Sequence, residues 1–493
     1  MTRIRDRFGD ALPTLLVGLC AGLTAVVGSY AAAGFTPAFV LSPITAWLTA
    51  TIPNAVTNTV IETLGSLGQQ LNLATAVALT VTAVGALAVA ALVVGRRLRN
   101  RALPVVLTGV GTWGFVAVAT GEPLLALGAA LPPAVVVLVA VAAPSLSASR
   151  PVDSRRRQLL AGSLSLVGFA LGGYAVGQRR TPTLGGESLD PSDRRERLLA
   201  AAEAQSFSLE GAEPLVSDNF YTVDVANVDP TLDESDWTLT ITGEVAEEVT
   251  LDYEDLTAME SVDRFETLRC VGESLNGQKM DTALWTGAPL RDLVERAGPK
   301  GDCECVRLRA ADDYYQVFPI DALEDSLLAY GMNGDALPRG HGYPVRALIP
   351  GHWGEIQVKW LTEIEVLDRD ADGYWEERGW HGTGPVETVA KLHSVSDLAD
   401  GRKQVGGHAY AGTRGIDRVE VSTDGGSTWN EAELTDPLEG ISVWRQWRYR
   451  YDPPSGEHEV VVRAIDGEGN RQPREERDAF PSGATGWVSR TVA

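Results

Sequence analysis

The chain has 493 residues and a formal charge of −23, enough length for roughly three domains. Only five of its 65 acidic and 13 of its 42 basic residues occur up to Arg180, so the remainder carries 60 acids against 29 bases, a charge of −31. Such a field repels nucleic acid and acidic surfaces and argues against both as partners.

Long apolar runs come first, at residues 13–33, 74–95, 104–120, 123–145 and 158–177. Each approaches or exceeds the ~20 residues needed to cross the hydrocarbon core, so five transmembrane helices are expected. The stretch from Pro37 to Pro53 is shorter and proline-interrupted, and reads as a loop or interfacial segment. Arg3, Arg5 and Arg7 precede the first run, Arg96, Arg97, Arg99 and Arg101 follow the second, and Arg150 and Arg155 to Arg157 precede the fifth. Loops 34–73 and 121–122 hold no basic residue. The asymmetry places the N-terminus inside and everything beyond the fifth span outside, with Arg179 and Arg180 as a weak counter-signal. Ser154-Arg-Arg-Arg-Gln-Leu-Leu160 is similar to a twin-arginine export signal, or is a plain basic membrane flank. No histidine precedes His341, so paired-histidine haem ligation is not expected in the membrane region, and anchoring is its simplest role.

Residues 181–213 are polar and read as a linker carrying a short helix, Ser192 to Ala204. Trp237 to Gly243 alternates as a strand. Leu251 to Met259 and Pro289 to Ala297 read as short helices. Cys305 to Ile320 and Tyr343 to Pro350 read as extended chain, and Val358 to Leu367 as a buried strand. The mixture, over 214–386, is α+β. Ile416 to Trp429 is a hairpin pattern with an Asp-Gly turn, repeated by Trp444 to Tyr451 and Glu457 to Asp466. An immunoglobulin-like β-sandwich is therefore expected over 387–493. The fold class is multidomain: an α-helical membrane bundle over 1–180, then the α+β domain, then the sandwich.

The four cysteines, Cys20, Cys270, Cys303 and Cys305, make no disulfide framework in a chain this long. Cys303-Glu-Cys305 offers two thiols to a metal, but with no histidine nearby in sequence an exposed loop is the better reading. Lysine is confined to Lys279, Lys300, Lys359, Lys391 and Lys403, while acids abound. That balance suits concentrated salt, where screening relieves self-repulsion, and a halophilic source is expected over an ordinary acidic protein.

Several segments resemble the sulfite oxidase family of molybdopterin oxidoreductases. Arg269-Cys-Val271 is similar to its metal-ligand loop, followed by Trp285-Thr-Gly-Ala-Pro-Leu290. Leu327 to Arg346, ending Arg-Gly-His-Gly-Tyr-Pro-Val-Arg, resembles its longest signature, and Val358-Lys-Trp-Leu361 completes it. The final hairpins resemble its dimerisation domain, so the likeness covers roughly 215–493. The resemblance implies a sulfite-oxidase-type molybdopterin domain with a molybdenum–molybdopterin cofactor and Cys270 as the protein ligand to the metal. Arg269, His341, Arg346, His352 and Lys359 would help to hold the cofactor. It also implies oxygen-atom transfer, as in sulfite to sulfate, with electrons leaving to a separate carrier, and a homodimer. No haem domain is expected in this chain.

Each of these residues has a plainer reading. A lone cysteine is more often a buried core thiol, and His341 in Gly-His-Gly could simply order a turn. Arg346 and Lys359 within apolar strands are costly to bury unpaired and favour an anionic partner. Three departures touch the substrate. Tyr221-Thr-Val-Asp224 lacks the family's first-strand arginine, Glu273-Ser-Leu-Asn276 stands where an arginine pair runs, and Trp380 falls near the active-site tyrosine. The alternatives are a reductase of S- or N-oxides, similar to the methionine sulfoxide reductases, and a cofactor-free extracellular binding protein.

Overall fold

A computed structural model describes residues 2–64, 66–146, 167–181 and 189–493. They form two compact units, one almost wholly of residues up to Thr183 and the other of residues from Leu184 onward, with short exchanges at 61–63 and 224–231.

The first unit is helical: α1 (Thr2–Ala33), α2 (Leu41–Thr51), α3 (Asn54–Leu64), α4 (Ser66–Leu98), α5 (Leu103–Thr120), α6 (Ala126–Leu146) and α7 (167–180). Among the described residues, three helical stretches are long and apolar enough to cross a membrane: Pro13–Ala33, Leu67–Leu98 and Leu103–Thr120. The apolar stretch Ala126–Ala142 is shorter. Part of the expected fifth span, 158–166, and the arginine-rich segment before it lie outside the described residues. The segment from Pro37 to Pro53, expected as a loop or interfacial segment, is largely helix α2. Pro43 falls in its first turn, where a missing N–H costs no helical bond. α1 packs against α4 and α6 through glycine. A Cβ on Gly22 would sit 2.3 Å from the Val81 carbonyl oxygen, and one on Gly28 2.2 Å from that of Gly128. Small residues at such crossings let helix backbones meet where no hydrophobic force drives them together.

The second unit begins with α8 (Asp193–Gln205), whose N-cap Ser192 accepts from the Arg195 amide. One five-stranded sheet has the order β2-β1-β10-β5-β6, from β1 (Thr238–Gly243), β2 (Val249–Asp252), β5 (Cys305–Ala310), β6 (Tyr315–Pro319) and β10 (Leu361–Leu367). Only its β1–β10 pair is parallel. A second sheet runs β3 (Val262–Arg269), β4 (Met280–Pro289), β7 (Leu327–Met332) and β8 (Asp335–Ala336), with β9 (Arg346–Leu348) on β7. Leu239, Ile241, Leu308 and Ile364 of the first sheet share a core with Leu290, Leu293 and Val294 of α10 (Leu290–Ala297) and with Leu328 and Ala347 of the second. The helix expected over 251–259 is shorter, α9 (Tyr253–Thr257). Asp252 and Asp255 form a reciprocal cap that starts it, and the residues before the cap stay in β2.

Beyond residue 386 two further sheets face each other. One has the order β11-β13-β17-β16 with β12 also on β13; the other is β15-β14-β18-β19. The strands are β11 (Val389–Ala390), β12 (Ser394–Asp397), β13 (Lys403–Tyr410), β14 (Ile416–Ser422), β15 (Asn430–Glu431), β16 (Glu433–Leu434), β17 (Arg445–Tyr451), β18 (His458–Asp466) and β19 (Val488–Val492). Val405 and Trp447 of one sheet and Val419 and Val462 of the other lie in one core, the alternation expected of two packed sheets. The hairpin expected between residues 444 and 466 does not form. β17 and β18 lie in different sheets, so their connection passes between the layers. Cys303 and Cys305 are joined as a disulfide at the start of β5, with Cys305 buried, rather than forming an open loop.

Candidate active site around Cys270

β3 delivers Cys270 at its C-terminal end, and the Cys270 amide donates to the Lys279 carbonyl at 3.0 Å, closing the loop 270–279. Burial raises the Cys270 thiol above its usual range, opposed by the positive charge of Lys279 and by the Gly272 amide; Glu273 and Glu355 push it further up. A buried thiol in this position gives up its proton when a cation offsets the charge, as a metal ion would.

The loop is held from beneath by buried charge. Arg269 is fully buried and donates to Glu273 at 3.3 Å, to the Glu387 carbonyl at 3.0 Å and to the Ala484 carbonyl at 3.1 Å, with its guanidinium 4.6 Å from the Trp353 ring centre. Glu273 also accepts from Lys391 and from the Lys279 amide. Burial raises the Glu273 carboxyl, but Lys391 and Arg269 outweigh it and hold the group below the usual carboxylate range. Burial pulls Lys391 down to about 8 against the pull of Glu273. Arg269, expected to hold cofactor, thus grips the Cys270 loop and the residues that follow the α+β domain.

His341 lies in the turn before β9, and burial with the charges of Arg346 and Lys359 lowers it to about 3. Arg346 donates to the His341 carbonyl at 3.1 Å and the Gln357 carbonyl at 3.0 Å, and faces the Trp285 ring at 5.3 Å. Lys359 donates to the Gly340 carbonyl at 2.8 Å. A Cβ on Gly342, whose φ is +110°, would meet the Cβ atoms of both Arg346 and Lys359 at 3.0 Å, so glycine lets these three basic residues close on one another. His341, Arg346 and Lys359 are brought together, and two cations beside a neutral imidazole suit an anionic phosphate or pterin group.

Phe220 and Tyr221 join the two halves of the site. Phe220 packs edge-on against His341, with ring centres 5.3 Å apart, and against Trp285 at 5.6 Å. Tyr221 is held through its amide by Asp281 at 2.9 Å. Its hydroxyl is raised well above its usual range by burial and then by Cys270 and Glu273, while Arg346 opposes the shift. A Cβ on Gly354 would lie 3.1 Å from that hydroxyl and 3.5 Å from Cys270 Cα. The sequence marks Tyr221 only as the start of a segment without an arginine and does not single out Phe220, so their role was missed. Aromatic residues just ahead of a cofactor domain carry no spacing signal.

His352 is half-buried, bonded through Nδ1 to its own loop at the Pro350 carbonyl (2.9 Å), and lowered by burial. Trp380 is buried against Phe480 and Trp375, with ring centres 5.1 and 6.3 Å away, in the same core as Val271 and Trp353. Trp360, Trp444 and Trp447 are buried, whereas Trp429 is partly exposed, edge-on to Trp487 and with the Arg463 guanidinium 3.7 Å from its ring centre.

Residues 226–375 match the oxidoreductase molybdopterin binding domain, and residues 386–481 the Mo-co oxidoreductase dimerisation domain. The chain is 28% identical over 298 residues to the mitochondrial sulfite oxidase of Homo sapiens, covering 50% of this chain and 54% of that protein. It is 28% identical over 313 residues to the NAD(P)H nitrate reductase of Hordeum vulgare, covering 50% and 35%. The sulfane dehydrogenase SoxCD of Paracoccus pantotrophus overlaps it with a TM-score of 0.42 at 20% identity, over 58% of this chain and 86% of that one. The chain thus spans about half the length of the curated relatives it matches. It belongs, through residues 226–481, to the molybdopterin oxidoreductases of the sulfite oxidase type.

Proposed function

We propose that this protein is a membrane-anchored oxygen-atom-transfer enzyme that oxidises sulfite to sulfate and passes the electrons singly to a separate carrier. The reading rests on one convergence: Cys270, Arg346, His341 and Lys359 of the family's domain, with Tyr221 just ahead of it, meet around a single site. In it, Cys270 holds the metal through its sulfur, and Arg346, Lys359 and His341 hold the pterin and its phosphate, with His352 at the mouth. The molybdenum cofactor, when bound, supplies the two-electron oxygen-transfer chemistry. The Tyr221 hydroxyl keeps its proton across the physiological range and is a hydrogen-bond donor beside Cys270. Trp380, at the place of the family's tyrosine, has no hydroxyl and fills the wall.

Lys279 answers the missing arginines. It is the cation whose charge most favours the Cys270 thiolate, and it stands on the loop that Glu273 and Lys391 anchor. We assign it the anionic substrate. Membrane attachment through five spans, an outward-facing catalytic unit, and dimerisation through an immunoglobulin-like C-terminal domain complete the proposal. The test is sulfite-dependent reduction of a one-electron acceptor by molybdenum-loaded protein. Lys279→Met should raise KM about tenfold with kcat little changed, the size of one lost charge-assisted hydrogen bond. Glu273 and Glu355 both oppose negative charge at Cys270, which favours reduction of a neutral S- or N-oxide as the second reading. Turnover of such an oxide with none of sulfite, at confirmed molybdenum content, would select it.

A further inference from the structure

Three side chains beside the cofactor loop form a closed group, of which only Glu355 is felt at Cys270. Gln316 is on β6, Glu355 on the loop 350–357 that carries His352, and Glu376 on the loop that carries Trp380. Gln316 is 0% and Glu355 5% exposed. Gln316 Nε2 donates to Glu355 Oε1 at 2.7 Å. Four oxygens of the group are buried without a hydrogen-bond donor: Gln316 Oε1, Glu355 Oε2, and both Oε1 and Oε2 of Glu376. A Cβ on Gly373 would lie 1.6 Å from Gln316 Oε1 and 2.6 Å from Glu376 Oε2, so those two oxygens are at most 4.2 Å apart. Glu355 and Glu376 are within hydrogen-bond reach of each other.

Two carboxylates and an amide oxygen facing one another in the interior are electrostatically unstable on their own. Burial and then Glu376 push Glu355 up to about 9. The Gly382 amide favours its ionised form without closing a full hydrogen bond on Oε2. One shared proton joins one oxygen of each carboxyl and leaves the other two of the four without a partner. A divalent cation cancels both charges and takes such oxygens as ligands.

We infer that Gln316, Glu355 and Glu376 bind a hard divalent cation of the calcium type. The all-oxygen donor set, one amide and two carboxylates, excludes a soft metal and suits calcium, with water or backbone oxygens filling the remaining positions. The bound ion ties β6 and the loop bearing His352 and Trp353 to the loop bearing Trp380, two walls of the active site. This inference is independent of the cofactor reading, because its readouts ignore molybdenum.

The test uses the full chain in detergent and high potassium chloride, with terbium(III) as the probe. Tyr314, whose hydroxyl donates to the Glu355 carbonyl at 2.7 Å, packs against Tyr374 with ring centres 5.5 Å apart, and Trp375 follows. These rings will sensitise terbium held by the three side chains. Saturable terbium emission that calcium displaces, together with a calcium-dependent rise in Tm reversed by chelator, is expected in the native chain. The double variant Glu355→Gln/Glu376→Gln removes both charges at near-constant shape and should fold while losing both signals. Native and double-variant chains with equal terbium emission and no calcium-dependent Tm shift would overturn the inference, leaving the two carboxyls to share protons.

Discussion

The helical unit and the catalytic unit bury opposite things. Among the described residues, every large apolar side chain left exposed lies at or before Val176, except Val223 and Ile441. Val118 is 87% and Leu124 80% exposed, a surface that water would not tolerate at that scale. Buried polar groups in the helical unit are hydroxyls, and several bond to a carbonyl one turn earlier, as Thr80 does to Ala76. The catalytic unit does the reverse, covering its apolar residues and burying whole charges: Arg264, Glu266, Arg269, Glu273, Arg346 and Lys391. Buried ions are expensive and need partners. The region that bears that cost is the region that does the chemistry.

The sharpest test of that division is Cys270→Ser. It should abolish turnover and strip molybdenum from the purified chain, yet leave the melting transition of the catalytic unit in place. A fully active serine variant would remove the metal-ligand assignment altogether. Next in size is Glu273→Leu, which strands Arg269 and Lys391 together in the interior with no carboxylate between them. Breaking a buried pair from one side costs about 3–5 kcal/mol, to be read by chemical denaturation. Adding Lys391→Met should recover part of that loss by removing one of the two stranded cations. Single and double variants of equal stability would mean that Glu273 and Lys391 do not interact as the structure places them.

The helical side of the comparison breaks at Val110, 60% exposed in the middle of α5. Val110→Asp should cost about 2.5–3.5 kcal/mol of membrane insertion, the penalty for an aspartate at a span centre. Glycosylation mapping or alkaline extraction would report it. If the variant inserts like the native chain, α5 does not face lipid.

His341 gives a smaller, pH-dependent test of the catalytic unit. Burial and two neighbouring cations hold its imidazole at about 3 in the fold, against 6.5 in the unfolded chain. Between those values the unfolded chain takes up a proton that the fold refuses. The stabilisation is therefore present above pH 6.5 and lost as pH falls towards 3. In cofactor-free protein the Tm of His341→Gln should fall less steeply than that of the native chain between pH 6.5 and 4. Parallel curves would show that Arg346 and Lys359 do not crowd His341.

Much of this was legible in the sequence because it is periodic or local. Strand β1, helix α10, the capped helix after Ser192 and the hairpin after Ile416 follow from alternation, capping and turn residues alone. Cys270, His341, Arg346 and Lys359 came from a resemblance, and the structure adds that the last three are neighbours. The rest depends on contacts between residues distant in sequence. Lys391 lies 118 positions from the Glu273 it neutralises, and Gln316 lies 39 from Glu355. No local pattern marks such pairs. β17 and β18 each alternate as strands should, but alternation does not say which sheet a strand joins.

Salt is the mildest lever, and its sign discriminates between two electrostatic effects in the catalytic unit. Exposed pairs such as Arg402 with Asp400 and Arg418 with Asp417 weaken as ions are added, but such solvent-exposed pairs contribute little to begin with. Against them stands the self-repulsion of a region carrying an excess of 31 negative charges beyond Arg180. Screening shortens the reach of that repulsion from about 10 Å at 0.1 M salt to about 3 Å at 1 M. Repulsion is summed over many more like-charged neighbours than there are pairs, so its relief should win. The Tm of the catalytic unit should therefore climb with potassium chloride while the helical unit, nearly free of acids, responds little. A Tm that falls with salt would mean that the pairs outweigh the net charge, and the case for adaptation to concentrated salt would go with it.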